Sequence, residues 1–156
     1  MWGILLPMNL SVVHIGTRLN SKDRFNALAQ DYLERCSAFA RFESLAFRSE
    51  EALVEWLGRQ QGRTAAISVF LDSGGRQMTS EAFAGWLGAH RDQGTQHIVF
   101  AVGPADGWSE DARARARLLL SLGPMTLPHS LARLIIAEQL YRAFTILTGH
   151  PYHAGH

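Results

Sequence analysis

At 156 residues, with a formal net charge of +1, 47% hydrophobic and 19% charged side chains, the chain has the make-up of one packed domain, not of a disordered or fibrous segment. The near-neutral balance excludes the broad phosphate attraction of a strongly basic protein, so any nucleic-acid contact has to be local. Fourteen of the fifteen positive side chains are arginine, a residue that forks onto phosphate or stacks on bases, although genomic base composition produces the same bias.

Residues 1–7 (MWGILLP) are apolar, too short for a signal sequence and without a basic segment before them. They are read as a disordered or mis-called extension, and 8–156 as a single domain. No run of 18 apolar residues free of charge occurs, so a cytoplasmic protein with no membrane partner is expected. From Met8 onward, strand-length apolar runs at 10–15, 42–47, 65–71, 98–102 and 118–122 alternate with amphipathic runs.

Ser21 is placed to cap a helix reaching Ser37, with Phe25, Leu28, Tyr32 and Cys36 on one apolar face. Ser49 caps a second over 50–59, where Glu50 and Glu51 complement the helix dipole and Gly62 is the stop. Ser80 opens a third, with Phe83, Trp86 and Leu87 inward, and Ser109 with Glu110 and Asp111 repeats the signature for a fourth. The alternation predicts an α/β fold with a mostly parallel sheet and helices on both faces. Ligands in such folds bind beyond the carboxyl ends of the strands, here the segments 72–78, 103–108 and 123–128.

The last helix, from His129 to about Leu147, is apolar on nearly every side and therefore has to be covered on every side. Its own sheet covers one side only, so a homodimer through this helix is expected. Glu138, Arg142 and Thr145 form a polar stripe at spacings of four and three, and His129 and Arg133 form another. An ion pair on the helix surface explains the first stripe; a charged stripe kept on an otherwise buried helix for a site explains it better.

No Walker A sequence, G-x-G-x-x-G after the first strand, G-x-S-x-G elbow or H-E-x-x-H is present, which removes most support for nucleotide hydrolysis, dinucleotide redox and the usual hydrolases. Cys36 reads as a small core residue, with a catalytic thiol as the alternative. His150, His153 and His156 are loosely spaced, lack carboxylate or thiol partners nearby and flank Pro151, so no metal is expected. The loops Val102-Gly103-Pro104-Ala105-Asp106-Gly107 and 122–128 have the backbone character of a small-molecule site without naming a ligand.

Residues 126–153, TLPHSLARLIIAEQLYRAFTILTGHPYH, closely resemble the ending of the ribosomal large subunit methyltransferase H family, which methylates N3 of a pseudouridine in 23S rRNA. The likeness extends to the IGT turn at 15–17 and the VFLDSGG segment at 69–75. It implies a SPOUT fold, whose C-terminal part is threaded into a deep trefoil knot that holds S-adenosyl-L-methionine. It places cofactor contacts at Leu71, at Gly103 and along Leu122, Gly123, Pro124, Met125, Thr126 and Leu127. Arg142, Tyr152 and His153 are the catalytic candidates, with Glu138 orienting Arg142. The substrate implied is 23S rRNA, and the weak charge favours the assembled ribosome over naked RNA. Where SPOUT relatives commonly carry a Gly-Pro-Glu-Gly type loop, this chain reads Gly-Pro-Ala-Asp-Gly, with its acid at Asp106. A knotted ribosome-binding protein without catalysis, or a SPOUT methyltransferase acting on another RNA, are the alternative readings.

Overall fold

A computed structural model describes residues 8–16, 20, 22–60 and 65–155. The expected extension at 1–7, the end of the IGT turn at Thr17, the Ser21 cap, the Gly62 stop and His156 lie outside the described residues. The elements run β1 (Asn9–Ile15), α1 (Arg24–Cys36), β2 (Arg41–Phe47), α2 (Glu50–Arg59), β3 (Ile67–Gln77), α3 (Ser80–Asp92), β4 (His97–Val102), α4 (Glu110–Arg115), β5 (Leu118–Ser121) and α5 (His129–Thr148), followed by a 3₁₀ turn, His153–Gly155.

All pairings among the five strands are parallel, in the order β2-β1-β4-β3-β5. Alternate residues of each strand feed two cores, as the two-residue period of a sheet covered on both faces requires. Leu10, Val12, Val69, Ile98 and Phe100 meet residues of α1, α3 and α5, such as Leu33, Leu87 and Ile136. Val13, Ile15, Phe70, Val99 and Ala101 meet Leu53 of α2 and Ala112 of α4 on the opposite face. Burying each of the larger side chains contributes about 1.5–3 kcal/mol.

Two helix starts differ in detail from the sequence reading, while Ser49 and Ser109 cap α2 and α4 as expected. Asp23 caps α1, its carboxylate accepting from the backbone N–H groups of Phe25 and Asn26 at 2.8 and 3.2 Å. Thr79, one residue before Ser80, caps α3 by accepting from Ala82 N–H at 3.0 Å. Ser109 caps α4, and its own N–H donates to Glu50 at the start of α2. Asp23→Ala is expected to cost about 1 kcal/mol in denaturant unfolding through the lost cap; an unchanged midpoint would show that the first turn is held by other contacts.

The apolar face expected on α1 is corrected. Its buried side is Ala29, Leu33 and Cys36, whereas Phe25 and Leu28 are 44% and 50% exposed. Two neighbouring helical stripes satisfy the same three-or-four spacing, and the small Ala29 belongs to the one that lets α1 approach α5 closely. Phe25 and Leu28 are left outside, while Tyr32 packs half-buried against the core and Cys36 is buried as expected.

The third strand is also longer than expected. Residues 72–77, taken as part of a strand-end loop, continue β3 after a bulge, so that Leu71 and Arg76 both pair with Leu120 of β5. Gly75 makes this possible, because a Cβ there would lie 2.6 Å from the Leu119 backbone. β5 ends at Ser121, one residue before the expected end. The α5 helix buries Ala132, Ile136, Leu140 and Phe144 on one side, with the Phe144 ring stacked on Phe39 at 5.3 Å. Leu131, Leu134, Ile135 and Tyr141 on its other sides are only half-buried.

Candidate active site

The carboxyl ends of β3, β4 and β5 and the first turn of α5 enclose a cavity of about 430 Å³, a size in the usual range for small-molecule sites. Leu71, Gly103, Leu122, Gly123, Met125, Thr126 and Leu127 line it; Pro124 of the same loop does not. Much of the wall is therefore backbone, which offers N–H and C=O groups to a ligand edge.

Why the wall takes this shape follows from three local contacts. Trp108 folds back so that its Nε1–H donates to the Leu71 carbonyl at 2.9 Å, while its ring stacks on Phe70 at 4.4 Å. Gly103 passes beneath the indole, where a Cβ would meet Trp108 Cε2 at 2.7 Å. The Ser121 hydroxyl lies 3.1 Å from the carbonyls of Ser73 and Gly123 and accepts the Gly123 N–H, tying the β3 bulge to the loop after β5.

The carboxylates and the guanidinium of the wall come from Asp72, Asp106 and Arg113. Asp72 accepts from Arg113 Nη1 at 2.7 Å and from the Gly74 N–H at 2.8 Å, so its carboxylate is fixed in place with 9% side-chain exposure. Asp106 sits on an exposed turn closed by Gly107 N–H to the Pro104 carbonyl, with its residue on the cavity rim. Asp72 and Trp108 lie in segments that the strand-end argument had selected, yet nothing in their local sequence singled them out. Arg113 had no such signal, because an arginine in a helix reads as surface.

His129 lines the cavity and stacks on His14 with ring centroids 5.7 Å apart. Arg133, one turn further on, is buried and donates to Asn26 Oδ1 at 2.8 Å. This second stripe of α5 thus joins the helix to β1 and α1.

The four other candidates form one network at the far end of α5. Glu138 Oε1 accepts from Arg142 Nε at 3.0 Å, from Arg142 Nη2 at 2.8 Å and from the Tyr152 hydroxyl at 3.1 Å. The guanidinium also lies 5.1 Å from the Tyr152 ring centre, and Nη1 reaches His153 Nδ1 at 2.9 Å. His153 Nε2 in turn lies 2.7 Å from Glu81 Oε1 of α3, a partner that sequence spacing could not connect across 72 positions. Burial, the Tyr32 hydroxyl and the negative Glu138 push the Tyr152 phenol above its ordinary pKa, so it acts as a donor at neutral pH.

None of Glu138, Arg142, Tyr152 and His153 lines the cavity. From Ala132, at the cavity wall, to Arg142 the helix rises about 15 Å. A chain taken singly therefore holds its cavity and its charged cluster apart.

Cys36 is fully buried, and burial pushes its thiol up to about 12, which makes it an inert core residue. Among the described residues no group of three or more His, Cys, Asp and Glu side chains could hold a metal ion. His150 Nδ1 accepts the Tyr152 N–H and His153 belongs to the network above. No described helix is long and apolar enough to cross a membrane.

A parallel α/β sheet with a backbone-lined cavity at its strand ends is a frame suited to a small-molecule ligand, and comparison with known proteins names the class. A family model described as predicted SPOUT methyltransferase matches residues 8–153. The chain is 50% identical over 149 residues to the ribosomal RNA large subunit methyltransferase H of Koribacter versatilis (strain Ellin345), covering 96% of this chain and 100% of that one. The protein of the same name from Hyphomonas neptunium (strain ATCC 15444) is 40% identical over 156 residues, covering 94% and 99%. The solved SpoU methyltransferase AviRb from Streptomyces viridochromogenes, in complex with AdoMet, matches with a TM-score of 0.47 and 12% identity over 86% of this chain and 57% of that one.

The chain is a SPOUT methyltransferase. Within that class it belongs to the ribosomal RNA large subunit methyltransferase H family. The family implies the C-terminal trefoil knot expected from the sequence.

Proposed function

We propose that the domain at 8–156 transfers a methyl group from S-adenosyl-L-methionine to N3 of a pseudouridine in 23S rRNA, working as a homodimer on the assembled ribosome in the cytoplasm. The observation that carries this reading is the cavity formed by Leu71, Gly103 and the loop at 122–127, a short helix-length away from the Arg142 cluster.

The cavity suits the cofactor. Leu71, Val102, Leu127 and Trp108 offer apolar surface for an adenine ring, the neighbouring backbone offers hydrogen bonds to its edge, and Asp106 on the rim, beside an Asp72 held by Arg113, offers carboxylate oxygens that would suit ribose hydroxyls or a sulfonium. The bound cofactor would supply an electrophilic methyl group. Holding the nucleotide N3 in line at 3–3.5 Å is worth roughly 7–11 kcal/mol of barrier, more than one acid–base group usually contributes. Positioning is the main task of the protein.

Arg142, kept in orientation by Glu138, places a cation where the imide anion develops as N3 loses its proton. Tyr152 donates from the same cluster, and His153 offers a nitrogen for the proton. These groups reach the cavity of a second copy if two chains pair with their α5 helices antiparallel, an isologous arrangement that brings each cluster to the other's pocket. Half-buried Leu131, Leu134 and Ile135 of α5, continued by exposed Phe25 and Leu28 of α1, supply the apolar surface for such pairing. The net charge of +1 favours a folded ribosomal surface as the recognition element.

Mass spectrometry of 23S rRNA from a strain lacking the gene tests the reaction: loss of one methylated pseudouridine is expected, and an unchanged methylation pattern would overturn the assignment. The shared site has its own test. Mixing a chain impaired at Gly103 with a chain impaired at Arg142 is expected to restore about a quarter of wild-type activity, because half of the randomly formed dimers carry one intact site of two. No recovery would place the whole reaction within a single chain.

A further inference from the structure

We propose that Glu81, in the first turn of α3, is a positioning residue for His153 that fixes which imidazole nitrogen carries the proton and which faces the reaction. This rests on the reading of His153 as part of the reaction site.

His153 is held between two groups of opposite character. A guanidinium only donates, so the nitrogen 2.9 Å from Arg142 Nη1, Nδ1, presents its lone pair. A carboxylate only accepts, so the nitrogen 2.7 Å from Glu81 Oε1, Nε2, carries the hydrogen. Both ends specify the same neutral tautomer. The hydrogen bond from His153 is also the main reason why the Glu81 carboxyl is held below its usual range, with a smaller contribution from its own backbone N–H. Glu81 is therefore ionised at neutral pH.

The first turn of α3 grips the cluster at a second point. Beside Glu81, the Ser80 hydroxyl donates to Gln139 Oε1 at 2.7 Å, and Gln139 Nε2 donates to Glu138 Oε2 at 2.8 Å. One turn of helix thus braces both Glu138, which holds Arg142, and His153, which Arg142 touches. The charged and titratable groups around His153 are Arg142 and Glu138 of α5, Glu81 of α3 and Tyr152 beside it, with Tyr32 of α1 behind Tyr152.

This arrangement follows the logic of a carboxylate that orients a histidine base. When Arg142 turns to the nucleotide, Nδ1 is released with its lone pair and takes the proton from N3. The N3 electron pair forms the new bond to the methyl carbon, the former C–S pair stays with the donor sulfur, and Glu81 faces the resulting imidazolium.

Nitrogen NMR of the histidine-labelled homodimer without cofactor reads the geometry directly. Wild type is expected to show the Nε2–H tautomer for His153, Glu81→Ala to move the ring signals toward an averaged mixture, and Glu81→Gln to retain the tautomer because its amide oxygen still accepts. In kinetics, Glu81→Ala is expected to lose turnover roughly tenfold and Glu81→Gln clearly less, because it keeps the tautomer and loses only the charge, with KM for ribosomes and cofactor affinity within about twofold in both. Unchanged His153 signals in Glu81→Ala would overturn the geometric claim, and a parallel loss of turnover, cofactor affinity and melting temperature would reduce Glu81 to a structural contact. A fully active His153→Ala variant would remove His153 from the reaction and overturn the catalytic half, while the NMR result would still decide whether Glu81 sets the ring.

Discussion

Replacing Arg142 by alanine is expected to lower turnover by about 10²- to 10³-fold, the range for deleting one preorganised group that stabilises developing negative charge. Affinity for S-adenosyl-L-methionine is expected to change by less than about twofold, because Arg142 lines no part of its own chain's cavity and, in the proposed pairing, faces the nucleotide and not the cofactor. Glu138 keeps two partners after the change, the Tyr152 hydroxyl and the Gln139 amide, so its carboxylate is not stranded and the fold survives. Single-turnover methylation, calorimetry with the cofactor and thermal melting, run on one preparation, separate these effects. Equal losses of turnover and cofactor affinity, or a collapse of melting temperature, would mean that the Glu138 and Arg142 pair only stabilises the helix.

Gly103→Ala has the opposite signature. The added methyl group would lie 2.7 to 3.0 Å from three atoms of the Trp108 indole. That ring has little room to retreat, since it is 9% exposed, stacked on Phe70 and bonded to the Leu71 carbonyl. Relief therefore displaces either the backbone at 103 or the Leu71 strand end, both of which form the cavity wall. Overpacking of this kind costs about 1–3 kcal/mol, and cofactor affinity is expected to fall at least roughly tenfold, the equivalent of about 1.4 kcal/mol. Denaturant unfolding and calorimetry give the two numbers. Wild-type affinity in this variant would show that the cofactor does not rest against Gly103.

Much of the frame was legible because periodicity and capping are local. Strand starts fell within two residues, and Ser49 and Ser109 cap the helices that their sequences announce. The misreadings occurred where two local solutions compete and only packing decides. Phe25, Leu28 and Tyr32 have the right spacing for a core face, but the tight approach of α5 selects Ala29 and Leu33. Asp72 and the two glycines after it look like a turn, yet β5 takes up the chain again at Arg76. In the site, the members that are close in sequence were foreseeable, as with Glu138 and Arg142 four residues apart. Trp108 above Gly103, Arg113 on Asp72 and Glu81 on His153 are tertiary meetings, and their residue types carry no spacing signal.

In the proposed homodimer, the outward stripe of Phe25 and Leu28 would tie the chain's durability to how much of it is present. If this surface and the open side of α5 are covered only by another copy, dilution removes that cover and the unfolding equilibrium becomes second order in protein. Melting temperature should then climb with protein concentration, and a scarce enzyme would be both less stable and less active per chain than an abundant one.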